Sequence, residues 1–476
     1  MDFRKIFEYI PEVRRPEEKK LDFKTKMKWT LIVVGVFFVL MNIPLFGLSN
    51  NALARFEYLA TIMGTDFGSI ISLGIGPIVM ASIILQLLVG AQIINIDQST
   101  AEGKKFFNGL QKLLVFFFIL FEATIYVVMQ GLQALPGFAG IVIFQLILGG
   151  LAIFYLDDVC QKWGFGSGVS LFIAAGVSLR VVTEAFQFLG KDAGTGNIIV
   201  SYSGKIFVFF RSLIDGDSIG ATAALGAILA TIVIFLIVVW VQSLKVEIPL
   251  SFGRVRGYGI KWPLSFFYAG VIPVILTAAL MAQFQMFGGI LENAAAPCLA
   301  EGGVCEGVAK FASWFTWLGH FSQGRAVSGF AFWMDSTNLL DLIIRGGLLP
   351  RHLIQGLTHI LGFMILSTLF AVLWIKTSQM DAKAQAEKIS ASGLQLAGFR
   401  QDPRILEGIL DRYIMPLTVM GGAAIGFLSS FTNLLGALVS GTSALLVIMI
   451  MFQLYQNIAQ QHSSDMNPAF RKFMGG

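Results

Sequence analysis

The residues Gly74-Ile75-Gly76-Pro77-Ile78-Val79 lie inside an apolar stretch, 67–96, that contains no Asp, Glu, Lys or Arg. About 20 mostly apolar residues suffice for a helix that crosses the hydrocarbon core of a bilayer. The same pattern, G-x-x-P followed by two β-branched residues, recurs at Gly270-Val271-Ile272-Pro273-Val274-Ile275 in a second uncharged stretch, 262–291. Each copy is followed by a glutamine, Gln86 or Gln283. These two stretches predict a membrane protein with an internal repeat.

The rest of the chain is equally apolar. Hydrophobic residues make up 55% of the 476 residues and charged residues 13%, about half the ~25% charge of a soluble protein. With only 13 Pro and 3 Cys, the composition also excludes collagen, disordered chains and disulfide scaffolds. The uncharged or nearly uncharged stretches are 29–51, 67–96, 113–155 (interrupted by Glu122), 163–179, 218–244, 262–291, 352–375 and 413–464.

Two of these stretches are long enough to fold back. The stretch 113–155 is interrupted at 130–140, which includes Pro136. The stretch 413–464 would form a helix of roughly 78 Å at 1.5 Å per residue, so we expect a turn near 429–433. The prediction is an all-α polytopic membrane protein with ten transmembrane helices, because backbone polar groups in lipid need internal partners.

Ten spans divide into two sets of five. Spans two and seven carry the G-x-x-P copies, and a weaker pair begins at Gly168 in span five and Gly441 in span ten. Spans two and seven run in opposite directions when the spans alternate, so the repeat is inverted. The alternative is chance, because Gly and Pro are frequent in membrane helices.

The distribution of basic residues sets the orientation. With alternating spans, 25 of the 34 Lys and Arg residues fall on the side of both termini, which the positive-inside rule places in the cytosol. Segment 1–28 is too charged for a signal peptide. Phe3, Ile6, Phe7 and Ile10 have helical spacing and predict an amphipathic surface helix; a solvated tail is the alternative.

Residues 50–64 are too short to span and carry charges that exclude them from lipid. They nevertheless have one apolar helical face, formed by Leu53, Phe56, Leu59, Ala60 and Met63. A surface helix is one interpretation, and a re-entrant segment that folds into a cavity is the other.

The motifs of common enzymes are absent: the sequence contains no phosphate loop, no G-x-S-x-G and no H-E-x-x-H. His352 and His359 could share a helix face, but two histidines without a third ligand make a weak zinc site, so no metal or cofactor is expected. Cys298 and Cys305 lie in one outer loop. They form a disulfide if the outside is oxidising, or remain two free thiols.

Glu122 is the one clear charge within a predicted span. An inverted-repeat secondary transporter, the alternative function, needs an ion or substrate site at the midplane. An intramembrane hydrolase needs a facing catalytic pair, and none is visible. The apolar residues at both repeat positions instead indicate a hydrophobic constriction that seals against ions and yields to a threaded chain.

Several motifs together resemble the SecY family of protein-conducting channels, in its archaeal and eukaryotic form. The resemblance covers nearly the whole chain. It rests on 74–79 with Gln86-Leu87-Leu88-Val89-Gly90, Phe107-Asn108-Gly109-Leu110-Gln111-Lys112, Gly166-Ser167-Gly168, Val246-Glu247-Ile248-Pro249-Leu250-Ser251 and Leu434-Leu435-Gly436-Ala437-Leu438 before Gly441-Thr442.

The resemblance implies two inverted five-helix halves around a central pore, hinged between spans five and six. The expected divisions are a cytosolic segment 1–28, a first half 29–190 with a plug at about 53–64, an external hinge loop 191–217, a second half 218–464 and a cytosolic tail 465–476. It also implies a pore ring formed by Ile75, Val79, Val169, Ile173, Ile275 and Leu446.

Further functional residues follow from the resemblance. A lateral gate to lipid would open between spans two and three and spans seven and eight, with a polar cluster at Glu122 and Gln283. The usual hydroxyl residue of that cluster is replaced by Met80. The ribosome-facing loops would be 245–261 and 376–412. Within them, Arg254, Arg256, Arg400 and Arg404 either contact ribosomal RNA or merely anchor the topology.

The implied partners are SecE, a small single-span third subunit, the ribosome, signal sequences and nascent chains, and membrane lipid. A signal-recognition-particle receptor would act upstream. The resemblance implies a passive conduit rather than an enzyme. It indicates the plasma membrane of an archaeon in preference to the endoplasmic reticulum.

Overall fold

The computed structural model describes residues 11–17, 21–51, 53, 60, 63–90, 93–94, 96, 100–191, 198–200, 203–252, 259–299, 307–322, 325–391, 394–396 and 403–465. Its long helices are numbered here along the chain. They are α1 (Phe23–Met41), α2 (Gly76–Gly90), α3 (Ala101–Val128), α4 (Ala139–Trp163), α5 (Gly168–Phe186), α6 (Ser218–Ser243), α7 (Ile272–Leu299), α8 (Pro350–Thr377), α9 (Pro403–Leu434) and α10 (Gly441–Asp465).

The prediction of a helical multi-pass membrane protein is confirmed. Within the described residues, the eight helices α3–α10 are long and apolar enough to cross a membrane. Helix α1 has 19 residues but begins with Lys24, Lys26 and Lys28, and α2 has 15 residues. Both correspond to predicted spans, so the count of ten remains a prediction.

The first two predicted spans are longer than their helices. In the stretch 29–51, the helix ends at Met41 and the chain continues into strand β1 (Leu48–Asn51). β1 pairs antiparallel with β2 (Leu132–Ala134), which follows α3. In the stretch 67–96, the helix begins only at Gly76. Hydropathy marks apolar residues but not helix ends, so the two predicted spans include turns that lie outside the helices.

The turn predicted at 429–433 is also misplaced. Helix α9 continues to Leu434, and α10 begins at Gly441. The side chains of Ser429, which is buried, and Asn433, which is half-buried, donate to Thr442 Oγ1 across this junction at 3.0 and 2.7 Å. These hydrogen bonds satisfy polar groups inside the helix pair, so they do not mark a break.

The two large loops on the predicted cytosolic side form one sheet. Strands β5 (Lys245–Phe252) and β6 (Gly259–Ser265) make an antiparallel hairpin, and β9 (Leu394–Leu396) pairs with β5. Residues 376–412 are therefore not one open loop: they also hold a helix, Ala382–Ala391, and the first turns of α9.

The remaining connections also contain regular structure. The predicted hinge loop 191–217 includes an amphipathic helix, Lys205–Asp215, and β4 (Ile198–Val200), which pairs with β3 (Leu189–Lys191). Between α7 and α8 lie the helices Gly307–Ser313, Phe330–Met334 and Leu339–Ile344, and the hairpin of β7 (His320–Ser322) and β8 (Arg325–Ser328).

The repeated motifs occupy equivalent places in the two halves. Gly74 and Gly270 both have positive φ, 54° and 71°, and each lies two residues before its helix begins. Gly168 and Gly441 are each the first residue of a helix, α5 and α10. Left-handed backbone favours glycine, so the repeat reflects a shared way of starting these helices.

Candidate functional site

Five of the six predicted pore-ring side chains are buried in one hydrophobic cluster at the centre of the molecule. They are Ile75, Val79, Ile173, Ile275 and Leu446. The sixth, Val169, is half-buried and packs against the same cluster. We call these six residues the collar. The positive-φ turns before α2 and α7 place Ile75, Val79 and Ile275 at or near the first turns of those helices.

Two cavities lie at opposite ends of the helices that carry the collar. A cavity of about 590 Å³ is lined by residues at the start of α5, including Ser167 and Ser170, and at the end of α10, including Gln453. A cavity of about 460 Å³ is lined by the other end of α5, at Arg180, and the start of α10, at Gly441. Along α5 and α10, Ile173 and Leu446 lie between the levels of these two cavities.

The described part of the predicted plug packs against the collar. Leu53, Ala60 and Met63 are buried and belong to the same hydrophobic cluster, while Phe56 and Leu59 lie outside the described residues. The Ile75 amide donates to the Met63 carbonyl at 2.9 Å. This hydrogen bond joins the end of segment 53–64 to the collar itself.

A seam between α3 and α7 brings Glu122 and Gln283 together. Gln283 Nε2 donates to Glu122 Oε1 at 3.4 Å, and both side chains are buried. Glu122 Oε2 and Gln283 Oε1 have no hydrogen-bond partner within the described residues. One turn further along, the Tyr126 hydroxyl donates to Met286 Sδ at 3.2 Å.

Gly76 lets this polar pair approach α2. A Cβ atom at Gly76 would lie 2.6 Å from Gln283 Nε2 and 2.9 Å from Glu122 Oε2, closer than real Cβ contacts allow. At the opposite end of α2, a Cβ at Gly90 would collide with the Leu373 side chain of α8. The helices α2 and α3 therefore meet α7 and α8 along a closed boundary. Met80 is half-buried in α2.

Asp157 is a positioning residue that sequence reasoning missed. It lies near the end of α4, is buried, and accepts hydrogen bonds from the Val169 amide at 3.0 Å and from Gln161 Nε2 at 2.7 Å. The carboxylate thus caps the start of α5, where Ser167 makes no side-chain cap. The signal in the sequence was a carboxylate at the end of an apolar run, before a glycine-rich helix start.

The described N-terminal residues 11–17 contact the first half of α3 and the end of α4. Glu12 pairs with Lys112 of α3 and with Lys162 of α4, the latter at 3.4 Å. Lys162 also donates to the Val13 carbonyl at 2.7 Å. The hydrogen bond from Lys112 is the main reason that the pKa of Glu12 lies below its usual value. The stabilisation from these contacts is therefore fully present above the usual pKa of a glutamate. It is lost as the pH falls through the lowered pKa of Glu12.

The candidate ribosome-facing arginines are mostly outside the described residues: Arg254, Arg256 and Arg400. Arg404 is exposed in the first turn of α9. Nearby, the Tyr268 hydroxyl donates to the Met380 carbonyl at 2.7 Å and ties the approach to α7 to the second loop. Burial, and then the charge of Asp381, raises the pKa of Tyr268 to about 12, so this bond persists through neutral and mildly alkaline pH.

The histidines and cysteines occupy separate structural positions. His352 Nδ1 accepts from the Leu349 amide at 3.3 Å at the start of α8, whereas His359 is buried. Cys298 is disulfide-bonded, Cys305 lies outside the described residues, and Cys160 is free and buried. Among the described residues, no group of three or more His, Cys, Asp or Glu side chains could hold a metal ion.

Comparison with known proteins matches residues 69–455 to the family model for SecY. The protein translocase subunit SecY of Methanothermobacter thermautotrophicus is 39% identical over 99% of this chain and 98% of its own length. A solved protein-conducting channel superposes with a TM-score of 0.80 at 35% identity, covering 98% of this chain and 99% of that one. Sec61 from the canine ribosome-channel complex of the endoplasmic reticulum gives a TM-score of 0.76 at 34% identity, with coverage of 98% and 99%.

Proposed function

The chain belongs to the SecY family, and from this premise we propose the role of each part of the molecule. It is the channel-forming subunit of a protein translocase, embedded in the membrane by many helices. The observation that supports the mechanism is the buried apolar collar, of which Ile173 and Leu446 lie between two cavities along α5 and α10. An apolar constriction of this kind stays dry when empty and excludes ions. A polypeptide passes by displacing the collar side chains, which bind no particular sequence.

The plug and the gate give this conduit its two closures. Segment 53–64 seals the collar from the outer side and leaves when a chain enters, as the packing of Leu53, Ala60 and Met63 supports. The boundary of α2 and α3 against α7 and α8 is the lateral gate, through which apolar segments reach lipid. The halves 29–190 and 218–464 separate about the hinge 191–217.

The orientation and partners follow from charge and family. Both termini, including segments 1–28 and 465–476, lie in the cytosol of an archaeal cell, and the protein sits in the plasma membrane. SecE and a small single-span subunit complete the channel, and a signal-recognition-particle receptor delivers ribosomes to it. The relative from the canine complex is bound to a ribosome, which supports the ribosome as a partner here. The chain itself is not an enzyme, so translation or another motor supplies the energy.

A photocrosslinker tests the path through the collar. Val169 is half-buried, unlike the other five collar residues, which are buried, so a benzophenone amino acid fits there with less disturbance than at the other positions. We expect it to crosslink to a stalled nascent chain that carries a signal sequence. The matched control is Leu229 on the lipid face of α6, which should give no adduct. Transport without any adduct at Val169 would place the path elsewhere.

Charge reversal tests the ribosome-facing loops. Changing Arg254, Arg256, Arg400 and Arg404 to Glu should weaken ribosome binding strongly, and binding of the unchanged protein should fall steeply with salt, because phosphate contacts release counterions. Sedimentation with ribosomes measures both. The control reverses Lys205 and Arg211 in the helix Lys205–Asp215, on the opposite side of the membrane. If both variants bind ribosomes equally well, the role of these arginines is limited to setting the orientation of the chain in the membrane.

A further inference from the structure

The connection between α7 and α8 contains a short helix, Phe330–Met334, that lies beside α8 rather than beyond its end. The Trp333 carbonyl contacts Thr358, eight residues after the first residue of α8. At 1.5 Å per residue, this contact is about 12 Å along the helix. Helix α8 has 28 residues, or about 42 Å, against a hydrocarbon core of ~30 Å. Helix α8 exceeds the core by about 12 Å, so even if the whole excess lies at this end, the contact at Thr358 is at the boundary of the hydrocarbon core.

Polar side chains of α8 bind successive backbone carbonyls of this segment. Gln355 Nε2 donates to the Phe332 carbonyl at 2.9 Å. Thr358 Oγ1 lies 2.9 Å from the Trp333 carbonyl and also 2.9 Å from the Gln355 carbonyl of its own helix, so its hydroxyl proton is shared between the two acceptors. His359 Nδ1 lies 2.7 Å from the Met334 carbonyl, so this ring nitrogen carries the proton and donates.

These three side chains are spaced i, i+3 and i+4 and so share one face of α8. The carbonyls that they bind belong to the last residues of a five-residue helix, which has no further turn to satisfy them. Irregular backbone at membrane depth requires such internal partners. The polar face also explains why Gln355 and His359 are buried within an apolar helix.

The same segment is fixed to α7. The buried Asp335 accepts from Gln285 Nε2 of α7 at 3.3 Å and from the Ser336 amide at 2.8 Å. The segment is thus held between the two helices that form one side of the candidate gate.

The opposite side of the segment is apolar and open. Phe330 and Trp333, three residues apart, are 44% and 40% exposed, and Trp317 packs on Phe330 with ring centroids 6.3 Å apart. The adjoining face of α8 is also exposed and apolar, at Ile354 and Leu357. The aromatic surface is therefore continuous with the lipid-facing side of a membrane helix.

The distribution of tryptophan supports lipid as the occupant. Three of the eight tryptophans, at 314, 317 and 333, lie in this single connection, and the other five lie near the opposite ends of the spans. Tryptophan concentrates at the two membrane interfaces. All the tryptophans at the outer interface of this chain thus lie in the connection between α7 and α8.

We propose that residues 330–335 form a re-entrant segment, clamped to α8 by Gln355, Thr358 and His359, that presents Phe330 and Trp333 to lipid of the outer leaflet. This inference concerns membrane contact and goes beyond the proposed channel function. Through it, the outer ends of α7 and α8 are held at a fixed depth in the bilayer.

A spin label at Trp333→Cys tests the location. The background is low because Cys160 is buried and Cys298 is disulfide-bonded. In the complete channel complex, reconstituted in phosphatidylcholine–phosphatidylglycerol vesicles, oxygen should relax this label more than an aqueous nickel chelate does. A label at His320→Cys, on the exposed β7, should show the reverse. Chelate dominance at 333 would place the segment in water, and protection from both reagents would place it under a protein partner; either result overturns the proposal.

A matched pair of threonine variants tests the clamp. In the labelled protein, Thr358→Val removes the donor to the Trp333 carbonyl and should raise chelate access at 333 several-fold. Thr368→Val is the control, because Thr368 Oγ1 bonds within its own helix, to the Met364 carbonyl at 2.7 Å. Unchanged depth in Thr358→Val would show that α8 does not hold the segment.

Discussion

Replacing Val79 and Ile275 of the collar with serine should turn a closed channel into one that leaks ions. The two residues occupy corresponding turns in the two halves, and both are buried in the same hydrophobic cluster. Hydroxyl groups there give water hydrogen-bond partners, so a constriction that is dry by virtue of its apolar lining becomes wet. We expect the variant to raise resting conductance in planar bilayers, measured with the partner subunits present, and serine at further collar positions to raise it more.

A control separates this effect from general damage to the fold. Leu229→Ser with Ile232→Ser makes the same chemical change twice on the lipid-facing side of α6, where both side chains are about half exposed. That protein should remain as tight as the unchanged one. If the collar variant conducts no more than the control, ions are excluded by something other than the collar.

The second large effect concerns the polar seam. Changing Glu122 and Gln283 together to Leu should hold the lateral gate closed more firmly. The two side chains meet at 3.4 Å, yet each leaves one buried oxygen without a partner in the described part of the chain. A buried unsatisfied polar group costs about 1–3 kcal/mol, and opening the gate rehydrates it. Leucine at both positions removes the unsatisfied polar groups, so opening the gate no longer gains their rehydration free energy.

The expected loss of opening is on the order of 10- to 100-fold, since about 1.4 kcal/mol corresponds to a factor of ten. Weakly hydrophobic signal sequences should then fail to part the helices, while strongly hydrophobic ones still pass. Translocation of both substrate classes into proteoliposomes measures this. The control is Thr418→Val, which removes a buried hydroxyl that is satisfied inside α9. Equal transport of both classes by the double variant would remove the pair from gating.

The sequence by itself determined the class of molecule and its symmetry. Long uncharged stretches predict helices because lipid offers no hydrogen-bond partners to the backbone. The G-x-x-P copies located two helix starts and, through them, the paired residues Val79 and Ile275. The isolated carboxylate of Glu122 predicted a polar partner across the seam, and the structure brings Gln283 to it. Each of these inferences depends on local chemistry that one segment carries alone.

Only the tertiary structure decided where segments end and which distant groups meet. Residues 42–51 are as free of charge as a span but form a turn and a strand, because β2 lies beside them to pair with. Asp157 caps α5, β9 joins the hairpin of β5 and β6, and Gln355 and His359 bind the carbonyls of a separate short helix. The physical reason is that a buried polar group needs a partner but does not specify which one. The packing of the helices brings one candidate within hydrogen-bonding distance, and this choice is absent from any single stretch of sequence.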